Sequence, residues 1–202
     1  TSGVDATSQS SIPDFTAHYR YQSDHTHFQL AGLLRDLGYR DAANPTAPGG
    51  HALGWGVHAS SSARFPAQGY PYVSTRLSTV YGHGVANYMN DGGVDLAPRS
   101  DGQFVAVPLL GVVAYFELYA TRHWFGTVGY SFTLVDNVSG QDRSAFQRGD
   151  YASATLGWTP LEPLLLGASY TWARRVDADE ASGLDQRAQL SVKYSYSLTF
   201  SP

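Results

Sequence analysis

The sequence predicts an all-β protein, an antiparallel transmembrane β-barrel of about nine strands, and three observations carry that expectation. The C-terminal run alternates polar and apolar residues, similar runs recur along the chain, and the links between them alternate short and long. In RAQLSVKYSYSLTFSP (187–202), Arg187, Gln189, Ser191, Lys193, Ser195, Ser197 and Thr199 share one parity. Ala188, Leu190, Val192, Tyr194, Tyr196, Leu198 and Phe200 share the other. Side chains of a strand point alternately to opposite faces, so this is a ribbon with one apolar side and one polar side. At about fourteen residues it exceeds the roughly 5–6 usual for a strand. A tilted strand crossing a bilayer needs about 9–11.

Composition permits this. The chain has 202 residues, enough for one all-β domain. It is 15% charged with a net charge of −4, and its mean hydropathy is −0.25. A barrel conceals its hydrophobicity by alternating it, so an ordinary average does not argue against a membrane. No run of about 18 apolar residues exists, which excludes a transmembrane helix. Aromatics are plentiful (Tyr 14, Phe 9, Trp 4), as suits a membrane–water interface. With no cysteine, disulfides and thiolate metal sites are excluded. The acidic balance and the lack of basic runs argue against nucleic acid. The polar start TSGVDATSQSSIPDF shows no secretory signal. The expectation is that a signal was removed or that residues precede Thr1.

Residues 1–12 are Ser/Thr-rich and read as a flexible lead-in or loop, leaving 13–202 as barrel. The expected strands follow in order. The first, 14–23, sets Phe15, Ala17, Tyr19 and Tyr21 against Thr16, His18, Arg20 and Gln22. The second, about 25–39, sets Phe28, Leu30, Gly32 and Leu34 against Gln29, Ala31, Leu33 and Arg35, a less regular alternation. The third, 51–62, carries Leu53, Trp55, Val57 and Ala59 on its apolar side. The fourth is read over 72–89 and the fifth over 103–120. The fifth is apolar on both parities, so both of its faces should be covered, one by a neighbouring subunit. Pro108, Gly111 and the valines favour a strand over a helix there. The sixth, 124–135, puts Trp124, Val128, Tyr130 and Phe132 together. The seventh spans 151–158, the eighth 163–175, and the last is the C-terminal ribbon.

The short links are SD, the region of FPAQGYP, TRH and TPLE. The long ones are RDAANPTAPGG, NDGGVDLAPRSDG, DNVSGQDRSAFQRG and VDADEASG. Outer-membrane barrels have short periplasmic turns and longer extracellular loops, whereas a Greek-key sandwich has no reason to alternate. Nine strands is an odd number, and single-chain bacterial barrels have an even one. The chain is therefore read as the C-terminal portion of a larger barrel.

Parity places Arg20, Arg35, Arg76, Arg175, Arg187 and Lys193 on the lumen side as pore-lining, solute-binding candidates. The acids Asp136, Asp142, Asp150, Asp177, Asp179, Glu180 and Asp185 are read into the long loops. A cation-lined lumen favours anions by field focusing and by bidentate guanidinium pairing. Trp55, Trp124, Trp158, Trp172 and Phe200 are expected as a lipid-interface girdle. Seven histidines are scattered and select no metal site, and the Gly/Asp loops lack EF-hand spacing. No Ser–His–acid set stands out either. The expectation is of no catalytic residues, no enzymatic activity, no metal and no cofactor.

Four segments resemble the DcaP-like family of trimeric outer-membrane porins. They are HFQLAGLLRDLGYRD (27–41), STVYGHGVANYMND (78–91), GDYASATLGWTPLEPLLLGASYTWARR (149–175) and DQRAQLSVKYSY (185–196). They fall in the order of that family's second half. The resemblance implies a barrel of about sixteen strands in a protein of roughly twice this length. It also implies a homotrimer in the outer membrane of a Gram-negative bacterium, in contact with lipid and lipopolysaccharide. Its implied role is passive uptake of small anions such as dicarboxylates past arginines at a constriction, for which Arg20, Arg76, Arg187 and Lys193 are the carriers. A soluble or secreted β-rich binding or structural domain is the rival reading. It requires the apolar parity to be buried inside the fold. A barrel lipid hydrolase is a third.

Overall fold

The computed structural model describes residues 6–8, 10, 12–41, 49–66, 68–90 and 92–196, with side chains for all of these except 6–8 and 41. The strands are β1 (Ala6–Ser8), β2 (Phe15–Gln22), β3 (Thr26–Asp41), β4 (Gly50–Phe65), β5 (Tyr72–His83), β6 (Leu96–Pro98), β7 (Phe104–Ala106), β8 (Pro108–Tyr119), β9 (Trp124–Val135), β10 (Phe146–Leu161), β11 (Leu164–Asp177) and β12 (Ser182–Tyr194). Apart from the β6–β7 hairpin, they form one antiparallel sheet in the order β1-β3-β4-β5-β8-β9-β10-β11-β12, with β2 also on β3. β1 and β2 pair with different stretches of β3, Ala6 opposite Asp41 and Phe15 opposite Leu34. They act as two halves of one interrupted strand. The sheet is thus nine positions wide, the width expected from the sequence. The segment 1–12, read as a lead-in, contributes β1 to it.

The eight links between sheet strands measure 3, 8, 6, 24, 4, 10, 2 and 4 residues. Each long link exceeds its short neighbours, so the alternation holds. The last long link shrinks to 178–181 because β11 and β12 keep pairing as far as Val176 opposite Ser182. β10 is likewise longer than expected, which moves Asp150 from an expected loop into a strand; Asp185 moves into β12 in the same way.

The largest departure is the 24-residue link. The expected fourth strand (72–89) stops at His83, and the expected fifth (103–120) begins at Pro108. Proline has no N–H to donate and suits the first position of a strand. Between them, residues 84–107 hold a 3-10 turn at Ala86–Tyr88 and the β6–β7 hairpin. This link folds back over the sheet, and it explains why β8 is apolar on both parities. Leu109 is buried beneath this link of the same chain, where a neighbouring subunit was expected.

Register fixes the two faces. Phe15, Leu34 and Trp55 are successive partners across β2, β3 and β4, as are Leu77, Ala114 and Tyr130 across β5, β8 and β9. Leu156, Ala168 and Leu190 continue that face across β10 to β12. Leu53, Tyr19 and Leu190 on it are 68%, 65% and 85% exposed. The buried core lies on the opposite, polar-parity side, where Val85, Ala86, Ala97, Val107, Leu109 and Val135 join the link to the wall. Each fully buried valine or leucine there contributes about 1.5–3 kcal/mol. A soluble sandwich demands the reverse, with the apolar parity inside. Exposed apolar patches of soluble monomers rarely exceed a few hundred Å², and this one spans nine strand positions.

All four tryptophans expected in the girdle lie on the apolar face. Trp124 pairs with Trp158 and stacks on it, with centroids 5.5 Å apart, near the short links. Trp55 stacks on His83 at 5.2 Å near the long ones, and Trp172 lies opposite Gln186. Phe200 and residues 197–202 lie outside the described residues.

The folded link requires a wall without side chains beneath it. A Cβ on Gly56 would stand 2.8 Å from Val85 Cγ1. Gly56→Leu is therefore expected to lift the link off the sheet at a cost of about 1–3 kcal/mol, measured as a lowered urea midpoint in lipid vesicles. An unchanged midpoint counts against this seat.

Candidate functional site

The polar face carries the candidate site, built from the folded link, a latch that holds it and a charged patch nearer the short turns. Gly84, at φ 67°, opens the link. Its N–H donates to Val107 O at 2.9 Å and closes the base of the loop. Only a residue without Cβ takes this left-handed conformation at low cost. A Cβ here would also clash with Leu37 Cδ1.

Arg35 on β3 is the latch. Its Nη1 donates to Gly84 O at 2.6 Å and to Asp95 Oδ2 at 2.8 Å, and its Nε donates to Asp14 Oδ2 at 2.9 Å. Asp95 belongs to the link, and its other oxygen accepts from Asn87 N at 3.0 Å. The Tyr88 hydroxyl donates to Asp14 at 2.5 Å, and the guanidinium lies 5.1 Å from the Tyr88 ring centre. The interruption between β1 and β2 is what brings Asp14 to this point. Parity counts Arg35 among the pore-lining, solute-binding candidates. It lies on the expected face, but its side chain is only 9% exposed and is spent on two carboxylates and a carbonyl. The hydrogen bond to Asp14, then burial, pushes the Tyr88 hydroxyl above its ordinary value. The stability it lends is therefore fully present below the usual tyrosine range and is lost as pH rises through the raised value.

The second cluster lies nearer the short turns. Arg76 Nη2 stands 3.6 Å from Glu117 Oε2, close enough for an ion pair but too long for a hydrogen bond. Register sets Arg64, Ser74 and Glu117 side by side across β4, β5 and β8. Arg64 lies 3.7 Å from the centre of the Tyr72 ring, which stacks on Tyr119 at 4.4 Å. Arg64 Nε and Glu117 Oε2 are both buried without a hydrogen-bond partner. Arg64 and Glu117 were absent from the sequence candidates. Arg64 continues the parity of His58, Ser60 and Ser62, a signal cut off where the third strand was expected to end.

The other candidates also lie on the polar face, but spread over different heights. Arg20 donates to Gln29 Oε1 at 3.1 and 3.2 Å. Arg175 is bound to Asp177 at 2.7 Å near the long links. Arg187 shares a register row with Thr171, Ser153, Gly129, Tyr115 and Arg76. Lys193 stands opposite Leu165, one residue from the end of β12. A pocket of about 400 Å³ opens beside the link, lined by Thr16, Leu33, His58, Ser78, Val80 and Met89 among others. His58 Nε2 is 2.9 Å from Ser78 Oγ there. This pair faces the polar side, and among the described residues no carboxylate holds the other ring nitrogen.

The chain superimposes on the crystal structure of the outer membrane channel DcaP of Acinetobacter baumannii with a TM-score of 0.77 and 21% identity. The match covers 97% of this chain and 55% of that one. No family model and no curated protein matches the sequence. At that identity the likeness shows the fold: this chain has the architecture of a porin-type β-barrel wall, and it spans about 55% of the length of the channel it matches.

Removal of the latch is expected to weaken the fold. Arg35→Ala strands two carboxylates that are 26% and 19% exposed, so the penalty is about 2 kcal/mol. Arg35→Lys is expected to lose nearly as much, because an ammonium cannot span both partners in the guanidinium's fork geometry. Denaturant titration of both variants in vesicles checks this, and a lysine variant as stable as the wild type contradicts it.

Proposed function

We propose that this chain forms part of the wall of an outer-membrane porin that admits small, preferentially anionic solutes of the dicarboxylate type by passive diffusion. Transport of this kind needs no covalent chemistry and no cofactor from the chain. Residues 13–202, together with β1 of the segment before them, are the C-terminal portion of a barrel of about sixteen strands. The protein assembles as a homotrimer in the outer membrane of a Gram-negative bacterium, among its lipids and lipopolysaccharide. The exposed apolar face supports the membrane, since lipid can cover nine strand positions of apolar side chains at no cost. The outward edges of β2 and β12 have no partner strand among the described residues. Unpaired backbone is not tolerated in hydrocarbon, so further strands must complete the wall.

One observation carries the anion preference. On the polar face, Arg20, Arg187 and Lys193 have no acidic partner among the described residues, and Arg64 rests on the Tyr72 ring. A lumen that keeps such an excess concentrates anions. The latched link 84–107 covers part of the same face and narrows the passage beside these cations.

Reversal potentials in planar bilayers under a salt gradient test the reading. Arg76→Ser and Arg187→Ser are each expected to shift the potential toward cation selectivity. The shift is larger for Arg76, whose loss uncovers Glu117. Glu117→Gln is expected to shift it the opposite way. If neither arginine variant moves it, the anion-selective reading is overturned. Arg35→Ala is expected to raise single-channel conductance by freeing the link, and unchanged conductance contradicts the narrowing role.

A further inference from the structure

The apolar face carries few charges, and their placement is uneven. Arginine and lysine occur on its strands only near the long links, at Arg40, Arg148 and Arg174. Asp150 on β10 is the register partner of Phe132 on β9 and of Arg174 on β11, and Arg148 precedes it by two residues on the same face. Arg148 grips this carboxylate twice, Nε to Oδ2 at 2.8 Å and Nη2 to Oδ1 at 2.7 Å. The Tyr130 hydroxyl donates to it at 2.5 Å. Asp150 is thereby saturated and only 7% exposed, while the Arg148 side chain remains 47% exposed. Arg174 is exposed and makes no hydrogen bond or ion pair to any described residue. The three groups present one net positive charge outward, in two guanidinium forks.

Their depth on the face is defined. The adjoining row toward the short links is Tyr130, Ala152 and Trp172. Leu166, the partner of Trp158 in the other aromatic row, lies eight residues from Arg174 along β11. At roughly 3.3 Å per residue and a tilt of about 40°, the separation across the membrane is about 20 Å. The apolar band of an outer-membrane barrel is about 25 Å tall. Arg174 and Arg148 therefore stand at the rim of that band, above a tryptophan at interface level.

We propose that Arg148 and Arg174 bind a phosphate of the phosphorylated glycolipid that fills the outer leaflet. The proposal rests on the outer-membrane reading above, in which the long links are extracellular. Guanidinium forks match phosphate oxygens bidentately, and basic groups at headgroup depth attract anionic lipid. Asp150 holds Arg148 in position, and its pairing with Arg148 and Tyr130 offsets its negative charge, so the cluster as a whole remains cationic toward the ligand.

The test uses the full-length, delipidated protein in detergent, titrated with bisphosphorylated lipid A and, separately, with phosphatidylglycerol, and read by native mass spectrometry. Arg174 is exposed and unpaired, so Arg174→Gln should leave the barrel folded, as its heat-modifiable migration will report. About tenfold weaker binding of lipid A is expected for Arg174→Gln. Arg187→Gln on the polar face should bind as the wild type does, and phosphatidylglycerol should bind more weakly and regardless of the variant. Wild-type affinity of Arg174→Gln for lipid A overturns the site. An equal loss for phosphatidylglycerol overturns the assignment to glycolipid. Crosslinking from position 174 to a second copy of the chain makes the patch a subunit contact and overturns both. Channel conductance separates this from the porin reading. Arg174→Gln should conduct as the wild type does, whereas a wild-type protein without conductance sinks the porin and leaves the lipid titration to be judged on its own.

Discussion

A broad apolar face that none of the described residues covers is the constraint from which the other features of this chain follow. Between its two open edges the sheet saturates its own backbone, strand to strand, but its apolar side chains from β2 to β12 remain uncovered by the described residues. In water such a surface drives association or collapse, and in hydrocarbon it is the ground state. Once that face belongs to lipid, the conventional core has to lie on the other side. The structure places it there, under residues 84–107. The arginines, serines and threonines of the polar parity are then the wall of a wet interior, where isolated charge costs little.

The folded link gives that interior its shape. Its apolar residues seat against a wall thinned to glycine, and its charged residues close on Arg35. A single guanidinium bridges β3, the residue that leads into β2 and the link itself, joining parts of the chain 21 and 60 residues away. A cation that looks available for solute is thereby committed to structure. The other cations of the polar face, Arg20, Arg76, Arg187 and Lys193, stand nearer the middle of the wall and the short turns.

The sequence made the faces readable and left the loop obscure, for different reasons. Period-2 alternation is a local property, so the parity of Arg20, Arg76, Arg187 and Lys193 and of all four tryptophans could be counted directly. Residues 84–107 are obscured because STVYGHGVANYMND keeps alternating past the end of β5. Only Gly82 and Gly84 mark the break, and glycine within an apparent strand also reads as a bulge. The partners of Arg35 are set by chain reversal and cannot be seen in any spacing. The strand position of Asp150 is hidden in the sequence because β10 begins with an irregularity between Phe146 and Arg148 that disguises its alternation. The resemblance in segments 27–41, 78–91, 149–175 and 185–196 pointed to the same architecture that structural comparison shows.

The absence of cysteine makes the central claim, lipid on one face and water on the other, directly measurable. Single cysteines placed in turn at positions 166 to 171 of β11 can carry a nitroxide in the membrane-reconstituted, full-length protein. Collisions with dissolved oxygen report lipid, and collisions with a water-soluble nickel chelate report the lumen. Oxygen access should peak at Leu166, Ala168 and Tyr170, and chelate access at Gly167, Ser169 and Thr171, giving a period of two residues with opposite phase. Chelate access at all six positions, or full solubility of the protein without detergent, contradicts the account.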